Sequence, residues 1–332
     1  MKNFLITGGA GFIGSHFVVK TCALGHRAIV IDKLTYAADL KNLSAVADNS
    51  NFKLIEGDIA DRELVTKILR EEKIDFLVNF AAESHVDNSI AAPENFIQTN
   101  IVGTFNLLNC ALGYFKNLDS KKKSEFRFLH VSTDEVYGSL SLTDPKFNEE
   151  NPYRPNSPYS ASKAASDHLV RAWFETYDLP TITTNCSNNF GPHQHREKFI
   201  PTVILSAISG KIIPLYGNGK NIRDWIFVED HAAGIHAALQ KGVLGQTYCF
   251  GGNCEKENLE LASEICEILD QVKPRADGTS YKQQITFVTD RLGHDQRYAI
   301  SNAKVEREFG FRPMKDFSER LRETVEWFFK KI

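Results

Sequence analysis

A chain of 332 residues with 42% apolar and 24% charged side chains has the composition of an ordinary folded, soluble protein and not of a disordered one. Roughly 75% of the surface exposed by an unfolded chain of this length is expected to be buried, so no metal or disulfide is needed as a staple. The 39 basic and 42 acidic residues leave a net charge of -3, which removes any general attraction to nucleic acid or anionic lipid.

Six cysteines are scattered without a CxxC pair, mostly in apolar segments, which fits a reducing compartment. Met1-Lys2 leads within a few residues into glycines, unlike a signal peptide, and no apolar run reaches membrane-spanning length. A cytoplasmic protein with neither a membrane nor a nucleic-acid partner is the expectation.

Short apolar bursts at 4–7, 28–32, 52–56, 76–80, 126–132 and 181–185 read as buried parallel strands. Helical patterns at 14–23, 61–71, 93–115 and 157–177 fall between them. The series predicts an α/β fold with a Rossmann-type doubly wound parallel sheet, helices covering both faces. After about residue 185 proline and glycine become frequent and the alternation weakens. This predicts a dinucleotide-binding domain over 1–185 and a smaller α/β substrate-binding lobe over 186–332, with strands at 223–228 and 247–250 and helices at 229–240 and 259–269. Lys121-Lys122-Lys123 reads as a solvated loop.

Directly after the first strand stands Gly8-Gly9-Ala10-Gly11-Phe12-Ile13-Gly14. Glycines there permit a tight turn, close approach of a pyrophosphate, and close packing of helix on strand. Asp32 closes the second strand, 18 residues beyond Gly14, where a carboxylate can accept hydrogen bonds from a ribose. Gly8, Gly11, Gly14 and Asp32 therefore point to a bound dinucleotide, and the carboxylate favours NAD over a 2′-phosphorylated form, although Lys33 follows it. Asp58-Ile59 follows the third strand and is placed to contact adenine, or to cap a turn.

Tyr159 and Lys163 are four apart at the start of a helix and share a face, so the ammonium is expected to favour the phenolate and make Tyr159 a base. Tyr216 and Lys220 repeat the spacing across Gly217 and Gly219, where it reads as a turn. Thr133-Asp134-Glu135 ends the fifth strand, at the sheet edge where ligands bind in open α/β folds. Adjacent carboxyls in a cleft can separate into an acid and a base, whereas on an exposed turn they would only cap a helix.

Thr133-Asp134-Glu135, Tyr159-xxx-Lys163 and the glycine turn together resemble the extended short-chain dehydrogenase/reductase superfamily and, within it, the dTDP-glucose 4,6-dehydratase family. The resemblance extends over Ala81-Ala82-Glu83-Ser84-His85-Val86-Asp87, Asn188 to Pro192, Glu197 to Pro201, Arg223-Asp224-Trp225 and Asp290 to Asp295. Epimerases of the superfamily lack the Asp134-Glu135 pair, and its GDP-mannose dehydratases and UDP-glucuronate decarboxylases carry serine before the glutamate. Asn88, Phe190, Phe227, Leu292, His193 and His195 depart from the family's usual residues.

This resemblance implies an NAD-dependent lyase that removes water from a nucleoside-diphosphate hexose, dTDP-glucose first among candidates, with NAD reduced and then restored. It implies Thr133, Asp134, Glu135, Tyr159 and Lys163 as catalytic residues. Around NAD it implies Phe12, Ile13, Lys33, Leu34, Thr35, Asp58, Ile59, Ala81, Ala82, Ser84, Thr99 and Asn189 beside the glycine turn and Asp32. For the nucleotide sugar it implies Ser84, Thr133, Asn188, Lys198, Phe199, Pro214, Tyr216, Arg223, Asn258, Asp290 and His294. Arg223, with its planar fork, suits a diphosphate, or else pairs with Asp224 or Glu229. The rival functions are a UDP-sugar dehydratase, a 4-epimerase, a decarboxylase and a non-catalytic NAD-binding protein. No metal is expected, since His193-Gln194-His195 lacks a third ligand at suitable spacing. His231 and His236 are expected to pack or cap. A homodimer through 93–115 and 157–177 is expected by resemblance.

Overall fold

The computed structural model describes residues 1–313 and 316–331. Its strands in chain order are β1 Asn3–Thr7, β2 Arg27–Asp32, β3 Phe52–Glu56, β4 Phe76–Asn79, β5 Arg127–Thr133, β6 Thr181–Cys186, β7 Asn188–Phe190, β8 Ile213–Tyr216, β9 Ile222–Phe227, β10 Thr247–Phe250, β11 Glu255–Glu257 and β12 Ile285–Val288. Seven of them form one sheet in the order β10-β6-β5-β4-β1-β2-β3, with every neighbouring pair parallel.

Parallel strands need covering on both faces, and the residues supply it. In β1, Phe4 and Ile6 join a core with Phe17, Val18 and Val30, while Leu5 joins another with Ile29, Ile31 and Leu107. Strand order reverses between β1 and β4, which opens a crevice at their carboxyl ends.

The second part of the chain returns to this sheet. Strand β10 pairs with β6, Thr247 opposite Thr183, and the helix preceding it, Val228–Lys241, contributes Ala232, Ile235 and Ala238 to the core that contains Phe17. Residues 186–331 therefore give both an edge strand to the large sheet and a lobe of their own. That lobe holds the β11-β9-β7 and β12-β8 sheets, and helices Phe199–Ile208, Asn258–Val272 and Phe317–Lys330 meet in it around Ile204, Ile265 and Leu321.

Two expectations are corrected. The segment 121–123 is not a loop but part of a short helix, Ser120–Glu125, because Asp119 accepts the Lys122 backbone N–H at 2.8 Å and caps it. The single helix expected over 93–115 is interrupted: Pro93–Phe96 and Thr104–Lys116 are α-helical, and Ile97–Gly103 widens into a π-helix. A Cβ on Gly103 would stand 2.6 Å from Ile59, so only glycine lets this widened turn lie against the core.

His231 and His236 pack, as expected. The His236 ring stacks on Phe17 at 4.2 Å, and His231 faces the Asn189 side-chain oxygen at 2.9 Å. Burial lowers the imidazole pKa to about 3 in both and to about 4 in His130. These rings are neutral in the fold, whereas the unfolded chain protonates them below about 6.5. Their contribution is thus complete above about pH 6.5 and is lost as pH falls toward 4, at about 1.4 kcal/mol per pH unit for each ring. Thermal unfolding measured between pH 7.5 and 5 should show Tm falling steadily below about pH 6.5; a flat profile would show that the rings gain protons without cost.

Candidate functional site

The glycine turn leaves the carboxyl end of β1. Gly8 has φ +66°, and a Cβ there would meet the Ala81 backbone N at 2.7 Å. A Cβ on Gly14 would lie 2.3 Å from the Gly8 carbonyl oxygen, so side chains would push the helix off the strand. Helix Phe12–Ala23 begins at Gly11 with no side chain bonded to its first amides. Those N–H groups, at the positive end of the helix dipole, suit a pyrophosphate.

At the end of β2 the Asp32 carboxylate accepts the backbone N–H groups of Ala10 and Leu34, each at 2.9 Å, and Leu34 adopts φ 54° to make the turn. Burial pushes the Asp32 carboxyl up while these two bonds oppose it. A carboxylate has about four acceptor positions, so capacity remains for a ribose diol. Lys33 is tied to Asp58 at 2.7 Å; burial raises the Asp58 carboxyl, and the Lys33 contact and the Ala60 backbone N–H together bring it below its ordinary range. Thr35 is exposed in the same turn. Ile59 turns its side chain into the core and gives its carbonyl to Asn106 at 2.6 Å. Glycine turn, open helix end and buried Asp32 together fit a dinucleotide.

Across the crevice, the 81–84 segment is fastened from both sides. The Ala81 N–H donates to the Thr7 hydroxyl at 3.1 Å, and Ala82 follows, partly covered. The Asn100 amide accepts the Glu83 N–H at 2.9 Å, donates to the Glu83 carbonyl at 3.0 Å and donates to the Ser162 hydroxyl at 2.8 Å. Asn100 is the residue that the π turn aims inward, and it was missed because a regular helix would place it differently; Thr99 beside it is half-buried. Ser84 gives its carbonyl to the Lys198 ammonium at 2.7 Å.

Helix Pro158–Tyr177 starts in a capping box: the Ser157 hydroxyl accepts the Ser160 N–H at 3.1 Å, and the Ser160 hydroxyl accepts the Ser157 N–H at 3.0 Å. This first turn seats Tyr159 beside the end of β5, near enough to the Thr133 hydroxyl for it to favour the phenolate. The Lys163 head group is engaged on the β5 side. Its Nζ donates to the Val131 carbonyl at 2.8 Å and lies 3.3 Å from His130 Nε2; no hydrogen bond to Tyr159 is formed among the described residues. Burial, then the Glu135 charge, push the Tyr159 phenol well above its ordinary value, with the Thr133 bond opposing. The spacing of four puts ammonium and phenol on one face, but the lysine head is drawn down toward β5.

The two carboxyls after Thr133 have different surroundings. Asp134 is 2% exposed, and burial, the Glu135 charge and Asp224 push its carboxyl well up, which favours the protonated form. Its Oδ2 is buried with no partner. Glu135 is also raised by burial, but the charges of Arg223, Arg291 and Lys198 favour its ionised form. An acid and a base thus stand side by side.

Arg223 makes no ion pair with Asp224 or Glu229. Its guanidinium donates to the carbonyls of Ile222 at 2.7 Å and Asp295 at 3.1 Å and lies over the Tyr298 ring at 4.3 Å. Tyr216 donates to Asp87 at 3.1 Å, and His294 lies 2.6 Å from Asp290 with its ring edge toward Tyr216. Arg291, within the 290–295 motif, has Nη1 3.7 Å from Asp87 and a buried Nε with no partner among the described residues. Asn188 holds an unpartnered buried Oδ1, Phe199 packs on Trp225, Pro214 is half-buried in β8, and Asn258 begins a helix. The Asn189 side chain is engaged by His231 and by the Ser187 carbonyl at 3.0 Å. Gly217 and Gly219 have positive φ, so Tyr216 and Lys220 do flank a turn. His193 faces Asn42 at 2.8 Å and His195 faces Glu197 at 3.4 Å, so the two rings serve different neighbours.

The family model described as GDP-mannose 4,6 dehydratase matches residues 5–324. A dTDP-glucose 4,6-dehydratase of Xanthomonas campestris pv. campestris is 52% identical over 99% of this chain and 93% of its own. The chain belongs to the dTDP-glucose 4,6-dehydratase family. The Salmonella typhimurium member is 51% identical over 98% of this chain and 92% of its own. A solved member from Streptomyces venezuelae, with NAD bound, superposes at TM-score 0.89 with 41% identity, covering 99% of this chain and 97% of that one. A UDP-glucose 4-epimerase from Thermotoga maritima has TM-score 0.87 at 25% identity, covering 99% of both chains. Within this dehydratase family, the Asn100 clamp is a feature the fold of this chain makes explicit.

Replacing Asn100 by leucine should leave the Glu83 amide and carbonyl short of partners and cost about 2 kcal/mol. Chemical unfolding of Asn100→Leu would measure it; an unchanged midpoint would show that solvent replaces the amide.

Proposed function

We propose that this protein removes water from dTDP-glucose, giving dTDP-4-keto-6-deoxyglucose, with a bound NAD that is regenerated in each turnover. Family membership supports the reaction class. The observation that carries the reading is the meeting of Tyr159, Thr133, Asp134, whose carboxyl is pushed well up, and Glu135, faced by Arg223, Arg291 and Lys198, at the end of β5. NAD would be held by Gly8, Gly11, Phe12, Ile13, Gly14 and Asp32, and when bound it supplies an electron-pair acceptor at C4 that returns the pair at C6.

Tyr159 takes the C4 hydroxyl proton, and the Thr133 hydroxyl steadies the oxygen as it becomes a carbonyl. The ketone acidifies the C5 hydrogen, which Glu135 removes as a proton. Asp134, whose surroundings favour the protonated form, donates to the departing C6 hydroxyl, so water leaves without forming hydroxide. Lys198, Arg223 and Arg291 hold the Glu135 charge and present cations toward a diphosphate. An epimerase needs neither the acid nor the second base, and the buried pair favours dehydration over that alternative.

Tyr159→Phe should abolish the first oxidation, so mixing with substrate gives no absorbance of reduced cofactor. Glu135→Gln should keep that absorbance and lose product by at least about a hundredfold. Equal loss of absorbance in both variants would remove the division of labour.

We also propose a cytoplasmic homodimer, the six free thiols supporting a reducing compartment. Ile97 and Phe105 are each 44% exposed on one helical stretch, and Tyr177 is 44% exposed at the end of the neighbouring helix. Such an apolar face suits a symmetric helix pairing. Light scattering should give twice the chain mass, with Phe105→Asp shifting it to the monomer; a wild-type monomer would remove this surface as an interface.

A further inference from the structure

Beneath the site lies a buried polar cluster that the proposed chemistry does not use. Nitrogen Nε2 of His130, on β5, is the junction of three groups from helix Pro158–Tyr177: Lys163 Nζ at 3.3 Å, Ser166 Oγ at 3.2 Å and Asp167 Oδ1 at 3.4 Å. Residues 163, 166 and 167 are three and four apart and share one helical face.

Hydrogen bonding assigns every proton in this cluster. The Ala81 N–H donates to Thr7 Oγ1, so the Thr7 proton goes to Asn79 Oδ1 at 2.6 Å. The Asn79 amide nitrogen therefore faces Thr104 Oγ1 and donates to His130 Nδ1 at 3.1 Å. With Nδ1 an acceptor, the ring proton sits on Nε2 and is directed to Ser166, which spends its own proton on the Lys163 carbonyl at 2.8 Å, while Asp167 Oδ1 lies 3.4 Å from the same nitrogen. The ring cannot accept from Lys163, whose ammonium donates to Val131 instead. Asp167 is fixed from the other side by the Ser132 hydroxyl at 2.8 Å and the Asn185 amide at 3.4 Å.

We propose that Asp167 is the positioning counter-ion that keeps the Lys163 ammonium charged, and that neutral His130, oriented from Thr7 through Asn79, separates the two and aims the lysine head. The inference rests on the proposed role of Tyr159 as the base, whose phenolate a charged Lys163 on the same helical face would favour. Around Lys163, β5 presents His130 and β6 presents Cys186, both uncharged: burial lowers the imidazole to about 4 and raises the thiol to about 12. Its own helix presents Tyr159 and Asp167, and the buried Tyr153 phenol, also pushed up, lies near Asp167. Asp167 is thus the anion available to oppose the burial that lowers Lys163 to about 8.

The test is a titration of Lys163 by NMR in protein labelled with ε-carbon-13 lysine, alongside the pH profile of kcat. Asp167→Asn should lower the lysine titration by about one pH unit or more and carry the alkaline limb of kcat down with it. Asp167→Glu should restore most of the limb. Ser132→Ala, which leaves the carboxylate one donor short, should move both in the same direction by less, and it decides the matter if Asp167→Asn does not fold. An unmoved lysine titration would overturn the proposal, even if activity falls equally at every pH. The titration needs no substrate, so its failure is distinct from failure to form product, which would instead remove the dehydratase reading.

Discussion

Two neighbouring carboxyl groups buried at the end of one strand cannot both carry charge cheaply, and the site is organised around that constraint. Asp134 sits deeper, and burial, the Glu135 charge and Asp224 push its carboxyl well up; Glu135 is raised by burial too, but there the Arg223, Arg291 and Lys198 charges oppose the rise. The same burial that would be costly for two anions produces an acid and a base at adjacent positions. Cations from the second lobe therefore act on the Glu135 charge, and in the proposed mechanism they also face a diphosphate.

The sheet makes that arrangement possible. Strand β5 lies between β4 and β6, with Asn79 opposite His130 and Thr133 opposite Cys186. Parallel register brings the carboxyl ends of β1, β4, β5 and β6 to one edge, where the glycine turn, the 81–84 segment and Thr133 open onto a single crevice. The π turn at Ile97–Gly103 locks this edge through Asn100, and the capping box at Ser157 sets where Tyr159 begins its helix. Contacts under the crevice run unbroken from Thr7 to Asn79 and His130, coupling the strand that carries the glycine turn to the strand that carries the acid pair.

Features carried by short local patterns were legible in the amino-acid sequence. The glycine turn with Asp32 announces a dinucleotide site, and Tyr159 with Lys163 announces a shared helical face, because both depend on residues close in the chain. Contacts made across long sequence separations were not legible. Nothing local tells that Asn100 will clamp Glu83 and Ser162, that β10 will return to pair with β6, or that Asp167 will stand behind Lys163 through His130. Nor does the spacing of Tyr159 and Lys163 tell that the Val131 carbonyl will take a hydrogen bond from the ammonium.

The most direct measurement of the central claim is the mass and labelling of the product formed by the unaltered protein from dTDP-glucose in heavy water. A proton removed at C5 by one carboxyl and water expelled from C6 by its neighbour predict a product lighter by one water molecule and carrying solvent deuterium at C5. A product of unchanged mass, or one that lost water without solvent label at C5, would contradict the paired acid and base.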